Sequence, residues 1–148
     1  MPDSNVNKVV NNLMAIHPLL HKAFSRPMRN SCIFSPGVYY ILGVLRYKGI
    51  QSMSEIGKKL AMPKPNVTNL VDKIIEKEWA ERLSDENDRR IINIRITEKG
   101  IEKFLVLQKE ISEELQRELM VLNEEEIIEL GNSSEKIKEL LRSMLKSE

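Results

Sequence analysis

Between Ser52 and Gly100 the chain carries two short amphipathic segments separated by a proline, then two alternating segments joined by a run of charge. Few folds accept that order. Ser52 with Glu55 three residues on predicts a capping box opening a short helix. That helix turns Ile56 and Leu60 inward and breaks at Pro63. From about Pro65 to Lys77, Val67, Leu70, Val71 and Ile74 recur at helical spacing, so a second helix with an apolar back is expected. Its front would present Pro65, Asn66, Thr68, Asn69, Asp72 and Lys73, all short or polar. Two helices joined by a tight turn, one with a hydrogen-bonding front, suit a helix-turn-helix reader of DNA.

The alternation that follows predicts one strand over Trp79 to Ser84 and another over Ile91 to Thr97. In the second, Ile92, Ile94 and Ile96 alternate with Ile91, Asn93 and Arg95, the period of a half-buried strand. Asp85-Glu86-Asn87-Asp88-Arg89-Arg90 between them is too charged to pack and rich in turn formers. A ribbon placed after a recognition helix is a wing. The spacing Asp88-x-Arg90, five residues, then Ile96-Thr97-x-x-Gly100 resembles the wing signature of the MarR (multiple antibiotic resistance regulator) family. Met53-Ser54-Glu55-Ile56-Gly57 and Val67-Thr68-Asn69-Leu70-Val71-Asp72-Lys73 resemble that family's two reader helices. These motifs lie within about Met53 to Gly100, while length and element order match over nearly the whole chain. Two positions depart from the pattern. Glu78 stands where the family usually has glycine, and a non-glycine in a left-handed cap costs roughly 1 kcal/mol. Pro63 stands where the family more often caps with Ser, Thr or Asp.

Charge is distributed unevenly. The net charge is +1, which by itself points to no partner. From His21 to Lys64 there are eight Lys/Arg against one acid, whereas Thr97 to the end holds eight against thirteen. One half is basic and the other acidic, consistent with one end facing phosphates. Pro65 to Ile96 is close to balanced, with six basic and seven acidic residues, so arginines there must act locally. A single cysteine, Cys32, excludes an internal disulfide. With no apolar run near the ~18 residues that span a bilayer and no signal pattern at Met1-Pro2-Asp3-Ser4, the expectation is a cytoplasmic, reduced protein without a membrane partner.

Before the reader segment, Val6 to Phe24 shows a helical apolar stripe, with a kink or break expected at Pro18. His17 and His21 stand four apart on one face, a metal-compatible spacing; with no other histidine in the chain, no metal and no cofactor is expected. Arg26 to Phe34 is expected to be a loop, containing Cys32. Some members of the resembled family sense peroxide through a cysteine nearer the N-terminus; Cys32 is expected to be a buried small hydrophobe. Ser35-Pro36 predicts a helix start, followed by Val38, Ile41, Leu42 and Leu45 and ended near Gly49. Tyr39 and Tyr40 cannot face the same way, so one should pack in the core. After the wing, Thr97 caps a helix of about 24 residues carrying Ile101, Phe104/Leu105, Gln108, Ile111, Leu115, Leu119 and Leu122. Asn123 and Glu126 form another capping box, opening a last helix that slackens at Gly131-Asn132-Ser133-Ser134.

The expected fold is mainly α with a small β-wing, in one domain over residues 1–148. A winged helix-turn-helix DNA-binding lobe (about 35–97) joins a helical dimerisation lobe (about 5–25 and 98–146). The apolar stripes of the outer helices exceed what one chain covers, so a homodimer on a pseudo-palindromic double-stranded DNA operator is expected. Lys64, Pro65, Asn66, Thr68, Asn69 and Lys73 would meet bases and phosphates. Arg90 would enter the minor groove with Asp88 holding it, and Arg89 with Lys58, Lys59 and Lys64 would bind phosphate. The resemblance implies a transcriptional regulator, a repressor responsive to a small aromatic or lipophilic effector, with His17, His21, Tyr39, Tyr40 and Arg46 lining its cleft. The alternative is a winged-helix module that binds protein. No phosphate loop, metalloprotease helix or nucleophile elbow is present, which argues against an enzyme.

Overall fold

The capping box forms as expected: Glu55 N donates to Ser52 Oγ (3.2 Å) and Ser52 N donates to Glu55 Oε2 (2.7 Å). The computed structural model describes residues 4–26 and 35–145. Cys32 and the loop expected around it lie outside the described residues. The helices are α1 (Ser4–Ser25), α2 (Pro36–Lys48), α3 (Met53–Leu60), α4 (Lys64–Glu76), α5 (Glu98–Leu119) and α6 (Glu124–Leu145). The strands are β1 (Gln51–Ser52), β2 (Ala80–Ser84) and β3 (Ile92–Ile96), in the antiparallel order β1-β3-β2. The sequence pattern did not show β1, a two-residue strand that places Gln51 opposite Ile94 and Ser52 opposite Asn93. The chain divides into two compact units, Met1–Ser112 and Glu113–Glu148.

In the first unit the core draws Val38, Ile41, Leu42 and Leu45 from α2, Ile56 from α3, and Val67, Val71 and Ile74 from α4. Trp79, Ala80, Ile94, Phe104 and Leu107 complete it. The expected stripes on α2, α3 and α4 are therefore the packed faces, with Leu70 half-buried against them. Tyr39 stacks on Phe104 with ring centroids 5.2 Å apart, and Tyr40 is turned outward, 43% exposed. Burial, the largest cause, raises the Tyr39 phenol above its ordinary value.

Several expectations are corrected by this packing. α1 runs unbroken through Pro18. The bond that proline removes belongs to the Met14 carbonyl, on an exposed stretch where water can serve it. Ser35 has the extended backbone of an N-cap, but its side chain makes no capping bond. α5 buries Gly100, Phe104, Leu107 and Ile111, so Leu107 takes the place assigned to Gln108, which is exposed. Ile92 is 44% exposed although it shares a face with Ile94. β1 stops opposite Asn93, and nothing in the sheet covers the ribbon beyond it. In the second unit, α6 continues through Gly131–Ser134, with Ser134 Oγ donating to Gly131 O (2.9 Å). The Asn123–Glu126 capping box and three glutamates in the first turn favour this helix from its N-terminus.

The base of the wing is closed by a clasp. Thr97 N donates to Trp79 O (3.0 Å), Thr97 Oγ1 donates to Glu78 O (2.7 Å), and Gly100 N donates to Thr97 Oγ1 (3.0 Å). Glu78 adopts the left-handed conformation (φ 61°) even without being glycine. Its amide donates to Ile75 O (2.8 Å), and Trp79 N donates to Ile74 O (3.0 Å), ending α4 as a glycine would. Lys99 Nζ sits 2.6 Å from Glu78 Oε2 and lowers the Glu78 carboxyl below its ordinary value. At Gly100 a Cβ would lie 1.9 Å from Trp79 O and 2.9 Å from Ile96 Cγ1. Gly100→Ala must therefore separate α5 from the β2 entry. We expect it to cost about 1–3 kcal/mol or more of unfolding free energy in chemical denaturation; a variant as stable as wild type would show that the close approach does not matter.

Candidate nucleic-acid interface

α4 begins without a side-chain cap. Pro63 occupies the N-cap and offers its carbonyl to Asn66 N (3.0 Å) and Val67 N (3.2 Å). Pro65 within the first turn suits the helix because its missing N–H would have no partner there. Burying Val67, Val71 and Ile74 turns the other face of α4 outward. Lys64, Pro65, Asn66, Asn69, Asp72 and Lys73 are exposed, and Thr68 is half-buried with its hydroxyl donated to Lys64 O (3.0 Å). A shallow hollow of about 510 Å³ gathers Lys64, Pro65, Thr68, Asn69 and Asp72.

A larger hollow, about 830 Å³, lies between α3, α4 and the wing. Lys58, Lys64, Thr68, Arg82, Arg90, Ile91 and Ile92 line it, with Ser52, Met53, Ser54, Gly57, Ala61, Met62 and Pro63. Of the expected DNA-contacting residues, this hollow brings Lys58, Lys64, Thr68 and Arg90 together. Asn66, Lys73 and Arg89 are exposed but line neither hollow, and Asp88 stands at the wing turn.

The wing turn is built around carboxylates. Asp85 Oδ1 accepts from the amides of Asn87 (2.9 Å) and Asp88 (3.0 Å), and its Oδ2 accepts from Asn93 Nδ2 (3.2 Å). Asp88 Oδ1 accepts from Arg90 N (2.9 Å) and from Arg90 Nε (3.3 Å). The Arg90 side chain is 92% exposed, so Asp88 aims an otherwise free guanidinium outward. Asp72 of α4 forms an ion pair with Arg82 of β2, and Glu81 pairs with Arg95 across the ribbon at 2.7 Å. Sequence reasoning missed Arg82 and Asp85 as organising residues. Arg82 lies opposite Ile94 in the register, on the face turned to the helices, and no sequence spacing signals its pairing with a residue ten positions earlier.

His17 and His21 are exposed on α1, and His21 Nε2 is 3.5 Å from Ser25 Oγ. Arg46 is exposed on α2. Among the described residues no group of three His, Cys, Asp or Glu side chains is placed to hold a metal ion. No helix of the described residues is long and apolar enough to cross a membrane.

A helix pair, a recognition-type helix with a polar front and a following antiparallel ribbon define a winged-helix protein. Residues 34–91 match the model of the MarR family. The chain is 33% identical over 93 residues to the HTH-type transcriptional regulator MhqR of Bacillus subtilis, covering 63% of this chain and 64% of that protein. It is 26% identical over 103 residues to the HTH-type transcriptional repressor MdtR of the same organism, covering 70% and 66%. The matched stretch thus spans under two thirds of the length of these relatives. Among solved structures, a MarR family protein from Bacillus stearothermophilus superposes with a TM-score of 0.72 at 21% identity, over 96% of this chain and 99% of that one. BldR from Sulfolobus solfataricus gives 0.71 at 23% identity, over 92% and 98%. Over residues 34–91, which hold the helix pair and most of the wing, the chain is thus similar to the MarR family.

The three donors on Asp85 hold its carboxyl below the ordinary aspartate value of 3.8, the backbone amides contributing most. A depressed folded value means the turn gains stability that is fully present above the ordinary value and is lost as pH falls through the depressed one. In an acid titration followed by the amide resonances of Asn87 and Asp88, the turn should persist at about pH 4 and dissolve only below it. Loss of both resonances' folded shifts well above that point would contradict Asp85 as the anchor.

Proposed function

We propose that this chain is a sequence-specific, double-stranded-DNA-binding transcriptional regulator that acts as a homodimer on a pseudo-palindromic operator, as a repressor relieved by a small aromatic or lipophilic effector. The observation that carries this reading is the exposed polar front of α4 beside a wing whose Arg90 is aimed by Asp88. Asn66 and Asn69 each offer an amide donor and acceptor, the pair that matches adenine in the major groove. Lys64, Lys73 and Arg89 would neutralise phosphates, with Pro65 and Thr68 shaping the helix start. Arg90, flat and weakly hydrated, suits the narrow, negative minor groove. The names of MhqR and MdtR, a transcriptional regulator and a transcriptional repressor, support the same reading. Within this reading, the effector would bind near His17, His21, Tyr39, Tyr40 and Arg46.

The dimer rests on uncovered apolar surface. Among the described residues, α1 and α6 contain no buried side chain. Val6, Val9, Val10, Met14 and Leu20 on α1, and Ile127, Ile128, Leu140 and Leu145 on α6, are all exposed. A second copy would cover them and set two reader helices against two half-sites. Selection of bound duplexes from a random pool should return an inverted repeat, and Leu140→Asp should convert a dimer to a monomer in sedimentation at micromolar concentration. A wild-type monomer that binds the selected duplex would overturn the two-fold reading.

The wing supplies a separate test. Arg90→Ala should cost about 1–3 kcal/mol of specific binding and lower the salt slope by about one counterion per wing. Asp88→Ala should also weaken binding although it removes a negative charge, and the double variant should be little worse than Arg90→Ala alone. Tighter binding by Asp88→Ala would mean that repulsion, and not buttressing, governs the site.

A further inference from the structure

The larger hollow holds Arg82, which is not among the expected contacts, beside Lys58, Lys64, Thr68 and Arg90, which are. Four cations line it, Lys58 and Lys64 from the two reader helices and Arg82 and Arg90 from the wing, and its lining includes no carboxylate. Lys58 and Lys64 belong to the basic stretch His21 to Lys64, and Arg82 and Arg90 to the nearly balanced stretch Pro65 to Ile96. Of the nearby acids, Glu81 pairs with Arg95 and Asp85 holds the turn amides, while Asp72 and Asp88 contact the hollow's own Arg82 and Arg90 from outside its lining. The rest of the lining alternates apolar Met53, Ala61, Met62, Ile91 and Ile92 with the hydroxyls of Ser52, Ser54 and Thr68. A sugar-phosphate backbone has that same alternation of anionic phosphate and apolar sugar edge.

Resting on the DNA-binding reading, we propose that this hollow seats the one backbone strand that separates the major groove under α4 from the minor groove under the wing, and that Arg82 is its phosphate-binding residue on the wing side. The Asp72–Arg82 ion pair places that guanidinium. Arg82 faces the helices from β2, opposite buried Ile94, whereas Arg90 stands at the wing turn with its side chain 92% exposed. The pair leaves part of the guanidinium free, since the Arg82 side chain remains 47% exposed, and its remaining N–H groups can donate to a phosphate. Asp72, standing on the reader front beside Asn69, is by the same pairing committed to Arg82 and withdrawn from reading a base. Arg82 is thus a positioning contact, strengthening binding to any duplex without choosing its sequence.

The test measures affinity by fluorescence anisotropy for a duplex selected from the random pool and for an unrelated duplex, across a salt series, with the full-length chain. Arg82→Ala should weaken both duplexes by a similar factor, about tenfold, and make the salt dependence shallower by about two counterions per dimer. Arg82→Lys, which keeps the charge, should restore the wild-type slope. A purely structural Arg82 would instead leave the slope of Arg82→Ala unchanged, and that result overturns the inference. Weakening confined to the selected duplex would also overturn it, by making Arg82 a base reader. If wild type binds neither duplex, the DNA-binding reading itself fails and this one falls with it.

Discussion

Thr97 makes the contact on which the placement of the wing depends. Its amide and hydroxyl bind the carbonyls of Trp79 and Glu78, and its hydroxyl receives Gly100 N. One residue therefore ends β3, caps α5 and ties both to Glu78 and Trp79, which follow α4. Each of those bonds satisfies a backbone group left over at a helix end or strand end, where an unpaired one would be costly. The clasp works because Gly100 has no Cβ and so lets α5 approach Trp79 O. With that junction closed, α4 and the ribbon are linked by these hydrogen bonds as well as by the chain.

Electrostatics in the wing divide into two roles. The carboxylates serve the fold: Glu78 holds Lys99, Glu81 holds Arg95, Asp72 holds Arg82, and Asp85 gathers two amides and Asn93. The three ion pairs among them are solvent-exposed, and such pairs add little stability. They orient cations instead. Asp88 does this most plainly, gripping both the backbone and the side chain of Arg90. A wing with no net positive charge thereby adds Arg82 and Arg90 to a hollow already lined by Lys58 and Lys64.

Much of this was legible from the amino acids. The apolar stripes of α2, α3 and α4, the Ser52–Glu55 and Asn123–Glu126 boxes, the Thr97 cap and the ribbon flanking its charged tip are local patterns. Each is set by residues within a few positions of one another, and periodicity or capping chemistry reports it directly. The Asp88–Arg90 pair was readable for the same reason, being two residues apart on one turn. Glu78 was recognisable as a departure, but not its outcome, because the bonds from Thr97 and Lys99 arrive from about twenty residues away.

What the tertiary structure decided was whatever depends on a distant partner. β1 is too short to show a period and exists only because β3 offers Asn93 and Ile94 to pair with it. Ile92 belongs to the inward face by alternation but lies beyond the end of β1, so it is exposed and lines the hollow. Leu107 took the core place that a regular stripe assigns to Gln108, because α5 is held at Gly100 and its facing is set from there. Arg82 meets Asp72 only after β2 folds back along α4. Sequence by itself determined which segments form and which face of each is apolar, since backbone geometry and water act on neighbours. Which charges meet, and which cations are left to face a ligand, required the folded chain, because only folding brings residues remote in sequence within Coulombic and hydrogen-bonding reach.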